Sequence, residues 1–346
     1  MIRGFAELFG GGAACTLRLQ DGTGRTVPPV GYMGGKRRIA EPILRTLGLV
    51  PGEGARSILL CDAGCWGEVW DVATRRPDEL AGRFRAWIGR DPSELWRELA
   101  AAGRPDDEVD RAAAYLWLQG RAANNSPVWW GSDSVRMAQR NTVGAPCMSH
   151  DRLLQPGNSS RGPGLIEAQE QGRIVMPSNG ATGPGTTAAL ERPPRLLMPE
   201  GGNRGVKDAV ERSHATSGVV FPATVARRLD AAVAALLGAY RVWVARRHPS
   251  AYDVSVWLGT PGDLRGVVIL LDPPYEGATR YEHTCEREEV VRLALEFAAL
   301  GATVGICEAE PIAELIALGW TAHDLTGAAS SARGRASKPE WVTRSP

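Results

Sequence analysis

The stretch GVVILLDPPYEGATRY, residues 266–281, decides how this chain reads. Val267 to Leu271 run without polar alternation, the pattern of a strand buried on both faces of a parallel sheet. Asp272 ends the run. Pro273 and Pro274 forbid its extension, because neither offers an N–H to a ladder. In open α/β sheets, ligands collect outside such carboxyl ends of strands. The stretch reads as a buried strand that delivers a carboxylate to a site.

Working outward, short apolar runs alternate with helical periodicities. SILLC (57–61) reads as a second buried strand, ending at Asp62. In PPVGYMGGKRRIAEPILRTLG (28–48), a Gly-rich turn leads into a helix with Ile39, Ile43, Leu44 and Leu47 on one face and Gly48 as its stop. Residues 78–120 suggest two or three helices, with Leu80, Phe84, Trp87 and Ile88 on one and Tyr115, Leu116 and Trp117 on another. Residues 223–247 carry Val225, Leu229, Val233, Leu236 and Leu237 at helical spacing. EREEVVRLALEFAAL (286–300) reads as a helix with Thr284 as its N-cap. ATVGIC (302–307) is a strand and PIAELIAL (311–318) a helix, and short strands follow near 320–325 and 340–343. The expected fold is α/β and doubly wound, with a mostly parallel Rossmann-like sheet.

Domain organisation follows. Residues 1–27 are Gly-rich and weakly patterned, and read as an N-terminal extension. Residues 28–130 and 223–346 make one discontinuous domain. Residues 131–222, with PGNSSRGPG, SNGATGPG and PEGGNRG, form an inserted Gly/Pro/Arg-rich region, either a recognition element or a flexible loop.

At 346 residues, 43% hydrophobic and net charge +1, the chain is long enough for a sizeable core and does not announce a polyanion partner by overall charge. No apolar run reaches membrane-spanning length, and the N-terminus lacks a secretory pattern, so the expected compartment is cytoplasmic. The six cysteines fit neither a disulfide framework nor a complete zinc site; Cys61 and Cys65 would be half of one. No metal is expected.

Asp272-Pro273-Pro274-Tyr275 suits chemistry on a planar amino group, whose lone pair is delocalised into its ring. A carboxylate and a backbone carbonyl accepting its two hydrogens would favour a pyramidal nitrogen held for attack. The prolines fix φ and so preset the carbonyl direction. Tyr275 offers a face for a base to stack on, worth about 1–3 kcal/mol. The competing structural reading is a strand end with a Pro-Pro turn. GYMGGKRR (31–38) fails as a phosphate loop, because the G-x4-G-K-[ST] pattern needs glycine at Val30 and Ser or Thr at Arg37.

DPPY after a hydrophobic strand resembles the catalytic motif of the Dam-like DNA adenine-N6 methyltransferases, and EGATRY resembles its continuation. GYMGGKRR resembles the family's aromatic-x-Gly-Gly-Lys element. The resemblance implies transfer of a methyl group from S-adenosylmethionine (SAM) to the N6 amino group of adenine. It implies Asp272, Pro273, Pro274 and Tyr275 as catalytic residues. Tyr32, Gly34, Gly35, Lys36, Asp62, Gly64 and Asp272 would bind the cofactor. LLCDAGCWGEVW (59–70) takes the place of the first SAM motif, whose usual form is acid-Pro-Phe-x-Gly-x-Gly, with Asp62, Gly64 and Gly67 at altered spacing. Asp71 or Glu79 would meet the ribose, and Asp263 or Asp253 the cofactor's adenine. CEAEP (307–311) and KPEWVTRS (338–345) resemble the family's closing elements.

Substrate contacts are expected from Arg121, Asn124, Asn125 and Tyr281, with Tyr115, Trp117, Trp129 and Trp130 as base-stacking or core residues. Basic residues from Arg136 to Lys207 in the insert would meet phosphates. The implied partners are double-stranded DNA and a restriction endonuclease, with the chain itself a monomer. Cytosine, RNA or protein amino groups are alternative targets, and a degenerate DNA-binding methylase relative is the non-enzymatic alternative.

Overall fold

The computed structural model describes residues 2–32, 35–120, 128, 130, 222–275, 283, 285–327 and 339–346. Strand β1 (Ile2–Leu8) opens the chain, followed by α1 (Ala14–Gln20), a 3-10 turn at Lys36–Arg38 and α2 (Ala40–Thr46). Then come β2 (Ala55–Cys61), α3 (Cys65–Arg75), α4 (Pro77–Arg85), α5 (Pro92–Ala102) and α6 (Glu108–Gly120). After the insert lie α7 (Pro222–Leu237), β3 (Arg241–Ala245), α8 (Ala251–Trp257) and β4 (Val267–Leu271). The chain closes with α9 (Arg287–Ala299), β5 (Thr303–Glu308), α10 (Ala313–Ala317), β6 (Thr321–Asp324) and β7 (Trp341–Arg344).

The seven strands form one sheet in the order β3-β2-β1-β4-β5-β7-β6. The first five in this order pair in parallel, and β7 runs antiparallel to both β5 and β6. Helices cover both faces. Phe5, Ile58, Leu60, Val268 and Leu270 face α1 through α4, α6 and α7. Ala6, Leu8, Leu59, Ile269 and Leu271 face α8 and α9 through Val254, Leu293 and Phe297. Each such side chain taken from water contributes roughly 1.5–3 kcal/mol, which is why β4 needs five apolar residues in succession. The connections leave β1 toward β2 on one side and β4 on the other, so the winding reverses between β1 and β4. Ligands of open α/β sheets bind at such a reversal, beyond the carboxyl ends of the strands.

Three sequence expectations are corrected. Residues 1–27 are not an extension: Ile2–Leu8 is the central strand, paired with β2 and β4 at once. Glu7 interrupts its apolar pattern, but that side chain is buried and satisfied, accepting hydrogen bonds from Thr16 N (2.7 Å), Thr16 Oγ1 (2.6 Å) and Cys15 N (3.4 Å). The helix read over 223–247 ends at Leu237, because Gly238 and the β-branched RVWVA segment pair with β2 as strand β3. The N-cap of α9 is Glu286; Thr284 lies outside the described residues.

Candidate functional site

The register of the sheet assembles the site. Ala245, Cys61, Leu8, Leu271 and Ile306 lie on one rung across β3, β2, β1, β4 and β5. One residue further on, Asp62, Phe9 and Asp272 leave the carboxyl edge together, and backbone bonds Asp62 N to Ala245 O, Gly10 N to Cys61 O and Asp272 N to Leu8 O hold them level. With strands about 4.8 Å apart, Asp62 and Asp272 stand roughly 10 Å apart across β1.

Between them, β1 ends in the turn Phe9-Gly10-Gly11-Gly12-Ala13. Phe9, Gly11 and Ala13 all take positive φ, at 60°, 43° and 55°, a rare run for residues with side chains. The turn is pinned on both sides. Asp62 Oδ2 accepts from Gly11 N at 3.1 Å, and Trp70 Nε1 donates to Gly11 O at 2.7 Å. Glu7 caps the following α1 from inside the sheet, a carboxylate at a helix N-terminus. Tyr32 packs against Gly11 and meets the Trp66 ring edge-on, with centroids 6.2 Å apart.

Asp62 also accepts from Gly64 N at 2.9 Å, so it caps α3 while bracing the β1 turn. Its neighbour Gly67 is obligatory: a Cβ there would sit 1.9 Å from Asp62 O. Burial raises the Asp62 pKa, and the N–H donors of Gly11, Gly64 and Gly67 oppose the shift.

On the other side of β1, Gly35 N bonds Tyr32 O at 3.0 Å, a turn that sends Lys36 inward. Lys36 is 4% exposed and its ammonium meets three groups. Asp272 Oδ1 is 2.8 Å away, Glu340 Oε1 3.3 Å, and the Tyr275 hydroxyl accepts from Nζ at 2.6 Å. The same hydroxyl donates to Glu340 Oε1 at 2.5 Å. Burial works against the charge on Lys36, yet Asp272 and then Tyr275, Cys307 and Glu340 hold its pKa well above the ordinary lysine value. Burial pushes Asp272 up to about 6, and Lys36 opposes that shift.

The surroundings are acidic beyond what one lysine balances. Burial lifts Glu7 to about 7 and Glu308, at the end of β5, also to about 7. Two carboxylates, Asp272 and Glu340, thus share the Lys36 ammonium, with Glu308 and Glu7 buried along the same edge. Such an edge favours a ligand carrying positive charge. Among the described residues no cluster of three or more His, Cys, Asp and Glu side chains could hold a metal ion.

The structure brings Asp272, Pro273, Pro274, Tyr275, Lys36 and Gly35 into one place, with Tyr32, Asp62 and Gly64 across the β1 turn. Gly34, Arg121, Asn124, Asn125, Trp129 and Tyr281 lie outside the described residues, as does the insert from 131 to 221. Asp62 follows the last residue of β2, the neighbour of the central strand β1. Asp71 is bound by Arg75 and Glu79 by Arg76 on the helix surface. Asp253 caps α8 with Ser250, and Asp263 pairs with Arg265 at the entrance of β4, the opposite edge of the sheet from Asp272. Tyr115 and Trp117 are core residues, 3% and 2% exposed. Cys61 is buried, with Sγ 3.3 Å from His248 Nδ1, and the His248 ring lies 3.9 Å from that of Phe9.

Sequence reasoning missed the β1 turn and Glu340. The first shows in the sequence only as the glycines of FGGG, and the second only as the acid of KPEW. Comparison with protein-family models and with curated proteins finds no match to this chain.

Proposed function

We propose that this chain is a SAM-dependent DNA methyltransferase acting on the N6 amino group of adenine. One observation carries the reading: the strand reversal places the Asp272-Pro-Pro-Tyr275 end of β4 directly beside the glycine-rich end of β1. The segment Glu7-Leu8-Phe9-Gly10-Gly11-Gly12-Ala13 also fits the form acid-Pro-Phe-x-Gly-x-Gly better than residues 62–67 do. Leucine replaces proline, and Ala13, in the place of the last glycine, has a φ of 55°, a region that favours glycine. The degenerate, non-enzymatic alternative draws on the altered spacing around Asp62, and the β1 turn is the observation that favours the enzyme over it.

The residues suit SAM. Gly10 and Gly12 keep the turn tight, since a Cβ there would stand 3.0 Å from Glu7 O and from Pro28 Cβ; Tyr32 and Asp62 flank Gly11, and the excess of carboxylate over ammonium suits a sulfonium. When bound, SAM would supply an electrophilic methyl group with a neutral thioether as leaving group, so no metal is required. Glu7 organises the turn rather than contacting the ligand, since its carboxylate is engaged by Thr16 and Cys15.

With its pKa near 6, Asp272 is mostly ionised at neutral pH and accepts one amino hydrogen. The Pro273 carbonyl accepts the other. Lys36 keeps the carboxylate charged and oriented. The Tyr275 hydroxyl is tied between Lys36 and Glu340, which fixes the ring for stacking on an extruded base. Extrusion costs a few kcal/mol, which stacking worth about 1–3 kcal/mol helps to offset.

Calorimetric titration with SAM tests the assignment. Wild-type protein should bind and transfer label to duplex DNA, and Asp272→Ala should retain SAM binding within about tenfold while losing transfer. No heat with SAM would reject the reading.

A further inference from the structure

Resting on that reading, we infer that the cleft between α1 and the Lys36–Arg38 turn, continued by the first half of α7, holds the phosphate backbone of double-stranded DNA.

The cleft encloses about 280 Å³ and is lined by Arg18, Thr23, Thr26, Arg37, Arg38 and Glu41, among others. Its acid is already engaged: Glu41 accepts from Arg18 at 2.5 Å and from Arg45 at 2.9 Å. The nearby Asp21 is likewise occupied by Thr23 and Thr26. Arg37 and Arg38 are exposed and, among the described residues, have no acid partner. On α7, Arg227 is exposed and Arg228 half-buried, again without one. The next acid on that helix, Asp230, is taken by Arg85. Burial, and then the charges of Arg37 and Arg227, push the Arg228 guanidinium below the ordinary arginine value.

This grouping contrasts with the rest of the helical layer. Arg75, Arg76, Arg83, Arg104 and Arg111 all sit against carboxylates. Like-charged guanidiniums held together without acids repel one another, and a row of phosphates relieves that repulsion through bidentate hydrogen bonds. The row adjoins the chemistry, because Arg37 and Arg38 follow Lys36 in one turn of 3-10 helix. It also borders the insert, because α7 is the first described helix after it. Phosphate contacts there would set the duplex in register with Asp272 without reading sequence.

The test measures binding of a labelled duplex by the full-length protein across a salt series. Each phosphate neutralised adds about 0.9 to the magnitude of the slope of log K against log salt. Arg37→Ala, Arg38→Ala and Arg228→Ala should each lower that magnitude by about 0.9, and the triple variant by about 2.7. Arg-to-Lys replacements should restore it. Arg90→Ala, away from the cleft and paired with Glu98, should leave it unchanged. SAM binding by calorimetry should persist in the triple variant, which reports an intact fold. Wild-type binding with unaltered slopes in the variants would overturn the inference and leave the proposed reaction standing. Competition by inorganic phosphate at the concentration of duplex phosphates would instead mark a small-anion site and also overturn it. A wild-type protein that ignores duplex DNA at low salt would overturn both.

Discussion

Replacing Lys36 by methionine removes the one described cation from the Asp272 cluster while keeping most of the side-chain volume. At an effective dielectric constant near 20, the 2.8 Å contact with Asp272 and the 3.3 Å contact with Glu340 correspond to about 6 and about 5 kcal/mol of gross attraction. Desolvation of the buried ions offsets much of this, and removing one partner of a buried pair costs about 3–5 kcal/mol. Protonation limits the loss. Asp272 stands near 6 with Lys36 present, so without it the carboxyl takes up a proton at neutral pH.

The sign follows from linkage. The variant's folded-state pKa for Asp272 lies further above its unfolded value, so stability present at low pH is lost as pH rises through the new value. The stability gap to wild type should therefore be near 3 kcal/mol at about pH 7, smaller near pH 5 and larger near pH 8. Urea unfolding at those pH values, with an unchanged m-value, measures it. The acid limb of the kcat/KM profile should also move upward from about 6, because ionised Asp272 becomes scarcer. A gap below about 1 kcal/mol at every pH, with the acid limb unmoved, would refute the reasoning.

Two further perturbations probe the supports of the site. Gly67→Ala forces a methyl against the Asp62 carbonyl, and should destabilise the fold by about 1–3 kcal/mol or more and weaken SAM binding, read by thermal unfolding and calorimetry. Glu7→Gln removes a buried acid with a folded pKa of about 7. Wild-type stability should fall as pH rises from about 4 to 7, and the variant should lack up to about 3 kcal/mol of that fall; parallel pH curves would contradict the assignment.

Much of the sheet was legible because β4, β2 and β5 are continuous apolar runs bounded by turn residues. β1 was not, because Glu7 breaks the pattern and the reason it can be buried is tertiary: Thr16 and Cys15 satisfy it. The β3 strand hid in a helix-like stretch, since RVWVA is distinguished from a helix end only by pairing with β2. At the site, Asp272, Tyr275 and Lys36 could be named from local sequence, although their direct contact is a product of the fold. Glu340 lies 65 positions from Tyr275, and nothing in KPEW says that its carboxylate reaches that hydroxyl. Asp263 and Asp253 looked eligible by their nearness to DPPY in sequence; one lies at the far edge of the sheet and the other caps a helix.

The most direct measurement is the identity of the product nucleoside. Unmodified duplex DNA incubated with the protein and SAM, digested and analysed by mass spectrometry, should contain N6-methyldeoxyadenosine, and Asp272→Ala should abolish it. An unmodified digest from a wild-type protein that binds both SAM and DNA, or a methylated nucleoside that survives Asp272→Ala, would contradict the account.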